Sequence, residues 1–122
     1  MERRRFLRLV RQALADLPPP FRDWLANVDV VVERRPRAHE RREARLSPDE
    51  TLFGLYEGVP LTERASSYGL VLPDKITIFQ EPLEREFPDA AGLVAEVRRT
   101  VLHELAHHFG IPDEELERLG LD

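Results

Sequence analysis

Hydrophobic residues near the start of the chain recur at helical spacing, which predicts an amphipathic helix over about residues 3–17. Pro18, Pro19 and Pro20 follow, and they end this helix because proline lacks an N–H and clashes with the preceding turn. A second, short helix is predicted from Pro20 to Ala26. The β-branched stretch Val28–Glu33 then predicts a first strand.

The middle of the chain alternates between charged and strand-forming stretches. Residues 34–45 are the most highly charged, and their pattern fits either a solvated helix or a loop. Residues 51–60 predict a second strand, and residues 68–72 and Asp74–Gln80 predict a hairpin or two linked strands. We expect three or four strands, with the stretch from Lys75 to Gln80 at a sheet edge.

The longest helical pattern runs from Ala90 to Phe109, with Asp89 as N-cap and Gly110 just past the C-terminus. One face of this helix is apolar and is expected to be buried: Val94, Val97, Val101 and Leu105. The opposite face is polar and is expected to line a cleft: Glu96, Thr100, His103 and His107. A short helix at about Glu114–Leu119 completes a predicted α+β domain that spans residues 1–122.

Composition narrows the classes of function. The chain is 42% hydrophobic and 34% charged, which is typical of a globular protein. Its net charge of −5 argues against nonspecific nucleic-acid binding. The sequence shows neither a membrane span nor a signal peptide, so a cytoplasmic location is expected. A single lysine, a single asparagine and ten prolines favour a thermophilic source.

The chain has no cysteine, so any metal must be held by His, Asp or Glu. Residues 103–113 read HELAHHFGIPD and contain the motif His-Glu-x-x-His. His103 and His107 lie one helical turn apart on one face, so both imidazoles can reach one ion. Glu104 lies about 100° further round the helix, which suits it to hold a water at the metal. Gly110 allows the chain to reverse and bring Asp113 back toward the histidines.

Some of these residues have simpler interpretations. Asp113 precedes Glu-Glu-Leu and would be a good N-cap for the last helix. His108 falls on the apolar side of the long helix, which argues against a role as ligand. Tyr56 and Tyr68 are more often packing residues than catalytic ones.

The strings HELAHHFGIPD, LYEGVPLTER and LPDKITIF resemble the small bacterial zincin-like metallopeptidases, also called minimal zincins. This resemblance implies a small sheet packed on the helix that carries the motif. It also implies that His103 and His107 bind zinc and that Glu104 is the general base. The extended metzincin pattern places the third ligand at Asp113. Metzincins commonly have histidine there and a methionine turn that this chain lacks, so Glu114 and Glu115 remain alternatives.

The function implied is zinc-dependent hydrolysis of a peptide or protein substrate, which would bind along the predicted edge Lys75–Gln80. Tyr56, Tyr68 and His108 are candidate donors to the oxyanion. A second hypothesis is a non-catalytic module that binds zinc and a peptide, because 122 residues leave little material to wall a cleft. A third is a small regulatory or toxin-system protein in which the motif has no function.

Overall fold

The computed structural model describes residues 1–47, 49–58 and 73–121. The α+β class is confirmed, and the strands of the described residues form a three-stranded sheet. In chain order the elements are α1 (Arg3–Ala15), α2 (Phe21–Leu25), β1 (Val28–Glu33), α3 (Ala38–Glu43), β2 (Gly54–Glu57), β3 (Asp74–Phe79), α4 (Gln80–Glu86), α5 (Ala90–His108) and α6 (Asp113–Arg118). None of the helices in these ranges is long and apolar enough to cross a membrane. The strand predicted at residues 68–72 lies outside the described residues.

The strand order is β1-β3-β2, so β3 lies in the middle of the sheet. It pairs parallel with β1 and antiparallel with β2. The prediction that Lys75–Gln80 forms a sheet edge is therefore wrong. The physical reason is burial on both faces: Ile76 and Ile78 pack under the helices, while Phe79 packs in a second cluster on the other face. A strand covered on both faces is typical of a sheet interior.

Helix α5 is the centre of the main core and packs against α1 and the sheet. Its buried residues are Leu93, Val97, Val101, Leu102, Leu105 and Ala106. Most of the predicted apolar stripe is therefore buried, although Leu93 takes the place of the partly buried Val94. Asp89 caps the helix as predicted, because its Oδ2 accepts a hydrogen bond from the Gly92 N–H at 3.2 Å.

Two short helices bear on the predictions for the middle of the chain: one replaces the end of a predicted strand, and the other decides between the predicted helix and loop. Helix α4 begins at Gln80, where the sequence pattern predicts the end of a strand. Helix α3 forms within the charged stretch, and its Glu40 is buried, with Oε1 accepting a hydrogen bond from the Arg37 N–H at 2.8 Å. Among the described residues 51–58 of the longer strand predicted there, strand β2 occupies Gly54–Glu57.

Candidate metal centre

The C-terminal end of α5 presents two histidines on one face. The ring centroids of His103 and His107 are 5.9 Å apart, with the ring planes at 76°. The His103 side chain is 28% exposed and the His107 side chain 51% exposed. The helical spacing of four residues thus places both rings at the surface but leaves His103 more deeply set, because it lies one turn further from the helix end.

A tight bend after α5 brings an acid back to these histidines. Gly110 has φ +78°, which favours glycine, and the Ile111 N–H donates to the Ala106 carbonyl at 2.7 Å. Helix α6 begins directly after the bend at Asp113, and its Leu116 is fully buried in the core. The bend and this buried leucine together determine where Asp113 lies.

Asp113 Oδ1 lies 2.8 Å from His107 Nε2 and 3.6 Å from His103 Nδ1. The hydrogen bond with His107 is the main cause that lowers the pKa of Asp113, and the charges of His107 and His103 act in the same direction. The prediction that Asp113 is the N-cap of the last helix is wrong, since the helix begins at Asp113 itself and Pro112 holds the cap position. Of the alternative acids, Glu115 forms an ion pair with Arg118.

His103, His107 and Asp113 are the group of potential ligands that the described residues bring together. One donor atom from each side chain lies within 4.8 Å of the others. Two imidazoles and a carboxylate are ligand types of catalytic zinc sites. The types of the three side chains and the closeness of their donor atoms fit a zinc ion, and Nδ1 is the His103 atom that lies 3.6 Å from Asp113 Oδ1.

Glu104 contacts strand β2, whereas the two histidines contact Asp113. Its Oε1 accepts a hydrogen bond from the Tyr56 backbone N–H of β2 at 2.8 Å. Burial raises the pKa of Glu104, while the Tyr56 N–H and then the charges of His107 and His103 oppose that rise. The carboxylate is therefore held by the fold at one oxygen and is electrostatically coupled to both histidines.

Strand β2 can bind Glu104 because it lies very close to α5. A Cβ added at Gly54 would lie 2.7 Å from Thr100 Cγ2, which is too close for any larger residue without movement. Two strand residues rise about 6.7 Å and four helical residues about 6 Å. The contact between Gly54 and Thr100 and the hydrogen bond between Tyr56 and Glu104 are therefore spaced by nearly the same distance along the strand and along the helix.

A polar cluster that the sequence does not reveal lies behind Glu104. The Tyr56 hydroxyl donates to Asp74 Oδ2 at 2.6 Å, and its ring stacks on His108 with centroids 4.0 Å apart. His108 Nε2 lies 3.6 Å from the same Asp74 oxygen, and His108 is not part of the metal-ligand group. The sequence indicates Asp74 only as a turn residue, because its burial depends on pairing with strands distant in sequence. The other candidate donor, Tyr68, lies outside the described residues.

A groove of about 710 Å³ opens beside the histidines, and we call it the metal-side groove. It extends from the metal centre toward the start of α5, between that helix and β2. Its lining residues are Leu46, Thr51, Phe53, Gly54, Phe87, Glu96, Arg99, Thr100, His103, Glu104 and His107. Glu96 lies in it partly buried, and burial raises its pKa despite the nearby charges of Arg99 and His103.

The sequence matches the family described as zincin-like metallopeptidase over residues 25–121. The chain belongs to this family. Zincin-like metallopeptidases are zinc proteins, so family membership and the ligand types at this centre agree on the metal. A conserved hypothetical protein from Thermus thermophilus is similar in structure, with a TM-score of 0.56 and 25% sequence identity. That similarity covers 89% of this chain and 94% of the other. No curated protein sequence matches this zincin-like chain at a significant level.

Proposed function

We propose that this protein is a zinc-dependent peptidase in which His103, His107 and Asp113 hold the metal and Glu104 is the general base. The observation that carries the proposal is the placement of Glu104. One of its oxygens is fixed by the Tyr56 N–H, and the carboxylate lines the same groove as both histidines. A site that only bound zinc would have no evident need for a carboxylate oriented in this way.

Zinc bound to these ligands would supply a Lewis acid that polarises the substrate carbonyl and makes water more acidic. The remaining chemistry belongs to Glu104, which takes a proton from the attacking water and passes it to the leaving amine. Its raised pKa brings the carboxyl closer to the pH at which proton transfer in both directions is efficient. The Tyr56 N–H leaves the second carboxylate oxygen available for this transfer.

Strand β2, and not β3, is the strand along which a peptide substrate would bind. The Phe79 N–H donates to the Phe53 carbonyl at 2.9 Å, so Phe53 is a hydrogen-bonded position of the antiparallel pair. Because such positions alternate, the backbone groups of Gly54 and Tyr56 point away from β3. The bond from the Tyr56 N–H to Glu104 agrees with this direction. The outward groups of Gly54 border the metal-side groove and are suited to pair with an extended peptide.

The second candidate function is a non-catalytic module that binds zinc and a peptide. It is favoured by the exposure of the centre, since the Asp113 side chain is 65% exposed and catalysis benefits from exclusion of water. The two candidates share the metal and the groove. They differ only in whether Glu104 transfers protons.

The test compares the zinc-loaded wild type with Glu104→Gln on a mixed peptide library, read by mass spectrometry. Gln keeps the acceptor for the Tyr56 N–H but cannot accept a proton, so we expect cleavage to fall by roughly 1,000-fold with zinc content unchanged. Glu114→Gln is the matched control, because it removes a neighbouring carboxylate outside the metal-ligand group. Equal cleavage by wild type and Glu104→Gln would refute catalysis by Glu104. Zinc binding without cleavage by the wild type would favour the non-catalytic module.

A further inference from the structure

The metal-side groove has an aromatic wall at the end away from the histidines. The rings of Phe53 and Phe87 meet edge to face, with centroids 5.7 Å apart and planes at 65°. Both rings are half-buried and pack on the main core, and the half-buried Leu46 lies beside them on the groove lining. Rings in this arrangement offer a large apolar surface with a defined geometry for a further side chain.

The distance along β2 relates this wall to the proposed base. Tyr56 marks the position of Glu104, and Phe53 lies three residues earlier, or about 10 Å along an extended chain. A peptide paired with the outward groups of Gly54 would extend over the same interval. The side chain that reaches the aromatic wall therefore belongs to a residue about two or three positions from the peptide bond beside Glu104.

The charges in the groove argue for an apolar occupant. An acidic side chain would meet the carboxylates of Glu96 and Glu104, both of which line the groove. A basic side chain would meet Arg99, whose charge already acts on Glu96. A groove of about 710 Å³ is within the usual range for ligand sites and is large enough for an aromatic or branched aliphatic side chain.

We propose that the metal-side groove selects peptides with a large apolar side chain, aromatic or leucine-like, two or three residues from the scissile bond. The position of that bond rests on the proposed function. The docking itself does not, because a peptide can occupy the groove whether or not it is cleaved.

Docking is measured with the zinc-loaded Glu104→Gln protein and a set of fluorescent extended peptides, by fluorescence anisotropy. The peptides differ only in a residue that is Phe, Leu, Ala, Asp or Arg, scanned along the peptide. At one position we expect Phe and Leu to bind at least about tenfold more tightly than Ala, because burial of such a side chain contributes about 1.5–3 kcal/mol. Asp and Arg are both expected to bind more weakly there than Phe and Leu.

Two variants in the Glu104→Gln background assign the preference to the groove. Phe87→Ala removes half of the aromatic wall and is expected to bring the Phe-to-Ala affinity ratio close to one. Thr51→Arg adds a cation at an exposed position of the groove lining, where folding is not at risk, and is expected to favour the Asp peptide. Phe109→Ala is the matched control, since it removes a 45% exposed ring that stacks on Trp24 and does not line the groove.

Each outcome has a definite meaning. Equal affinity for the Phe and Ala peptides at every position, or no binding of any peptide, overturns the groove assignment. A Phe-to-Ala ratio that survives both Phe87→Ala and Thr51→Arg also overturns it. Selective docking without cleavage of the same peptides by the wild type supports the groove assignment and refutes the peptidase proposal. Cleavage by the wild type without any side-chain preference supports the peptidase proposal and refutes the groove assignment.

Discussion

Glu104 and Asp113, the two carboxylates of the candidate centre, are held in opposite ways. Glu104 lies partly buried and is fixed by a backbone N–H of β2. Asp113 is exposed, follows a bend, and contacts only the two histidines in the interactions that define the centre. Their pKa values shift accordingly, since burial raises that of Glu104 and the hydrogen bond with His107 lowers that of Asp113.

This difference shows that the proposed base and the proposed third ligand depend on different parts of the molecule. The position of Glu104 follows from the contact between the sheet and α5, which is formed by the core. The position of Asp113 follows from the bend at Gly110 and from the burial of Leu116. Substitutions should therefore separate proton transfer from metal binding, and the following predictions test that separation.

The largest effect is expected when a ligand is removed. His103→Ala is expected to weaken zinc affinity by more than roughly 100-fold, beyond the loss typical of residues that merely support a ligand. Asp113→Ala should cost less, because two imidazoles on a rigid helix remain. Zinc affinity measured by competition with a chelator checks this order. A greater loss with Asp113→Ala than with His103→Ala would contradict the idea that the helix supplies most of the binding.

An intermediate effect is expected when β2 is moved away from α5. Gly54→Ala places a Cβ too close to Thr100 Cγ2, so the strand shifts and the bond from the Tyr56 N–H to Glu104 lengthens. We expect kcat to fall by roughly 10- to 100-fold, since small misplacements of catalytic groups have effects of this size. Zinc affinity should stay within about twofold.

The paired control for this change is Thr100→Ala, which removes the opposing methyl group. On its own it should alter kcat little, and combined with Gly54→Ala it should restore much of the lost rate. If the double variant is no more active than Gly54→Ala, the contact between Gly54 and Thr100 does not govern the position of Glu104.

The smallest effect is expected in the metal-free protein. The pKa of Glu104 is raised in the folded state, so the stability that this group contributes is present below the unfolded pKa and lost as pH rises through the folded pKa. Glu104→Gln does not titrate, and its melting temperature should exceed that of the wild type at neutral pH. This advantage should vanish toward pH 4, as thermal denaturation at several pH values would show.

Asp113→Asn should change the melting temperature in the direction opposite to Glu104→Gln. Because the pKa of Asp113 is lowered in the folded state, its contribution is present above the unfolded pKa and is lost as pH falls through the folded pKa. The variant should therefore melt slightly below the wild type at neutral pH, and the difference should close in acid. A stabilising effect of Asp113→Asn at neutral pH would show that the two carboxylates are not held in opposite ways.

The local parts of this centre could be predicted from sequence. The interval of four residues between His103 and His107 places them on one helical face, and Gly110 indicates the bend that returns Asp113. Both inferences need only helix geometry and the conformational freedom of glycine. They involve residues no more than ten positions apart in the chain.

The non-local parts could not be predicted. The middle position of β3 depends on which strands pair with it, and its alternating pattern does not show this. Helix α4 follows β3 without a break and has Pro82 in its first turn, where proline is tolerated because the N–H has no partner within the helix. The bond between Tyr56 and Glu104 joins residues 48 positions apart, and no local pattern indicates it.

Leu116 links the packing of the hydrophobic core to the position of Asp113 in the candidate metal centre. This leucine lies three residues after Asp113 in the short helix α6, and its complete burial sets how that helix sits on the core. A smaller or larger residue at this position would tilt the helix and alter the distance from the carboxylate to the imidazoles. With Asp113 as the proposed third ligand, hydrophobic packing at Leu116 would help to set which divalent ion the centre accommodates.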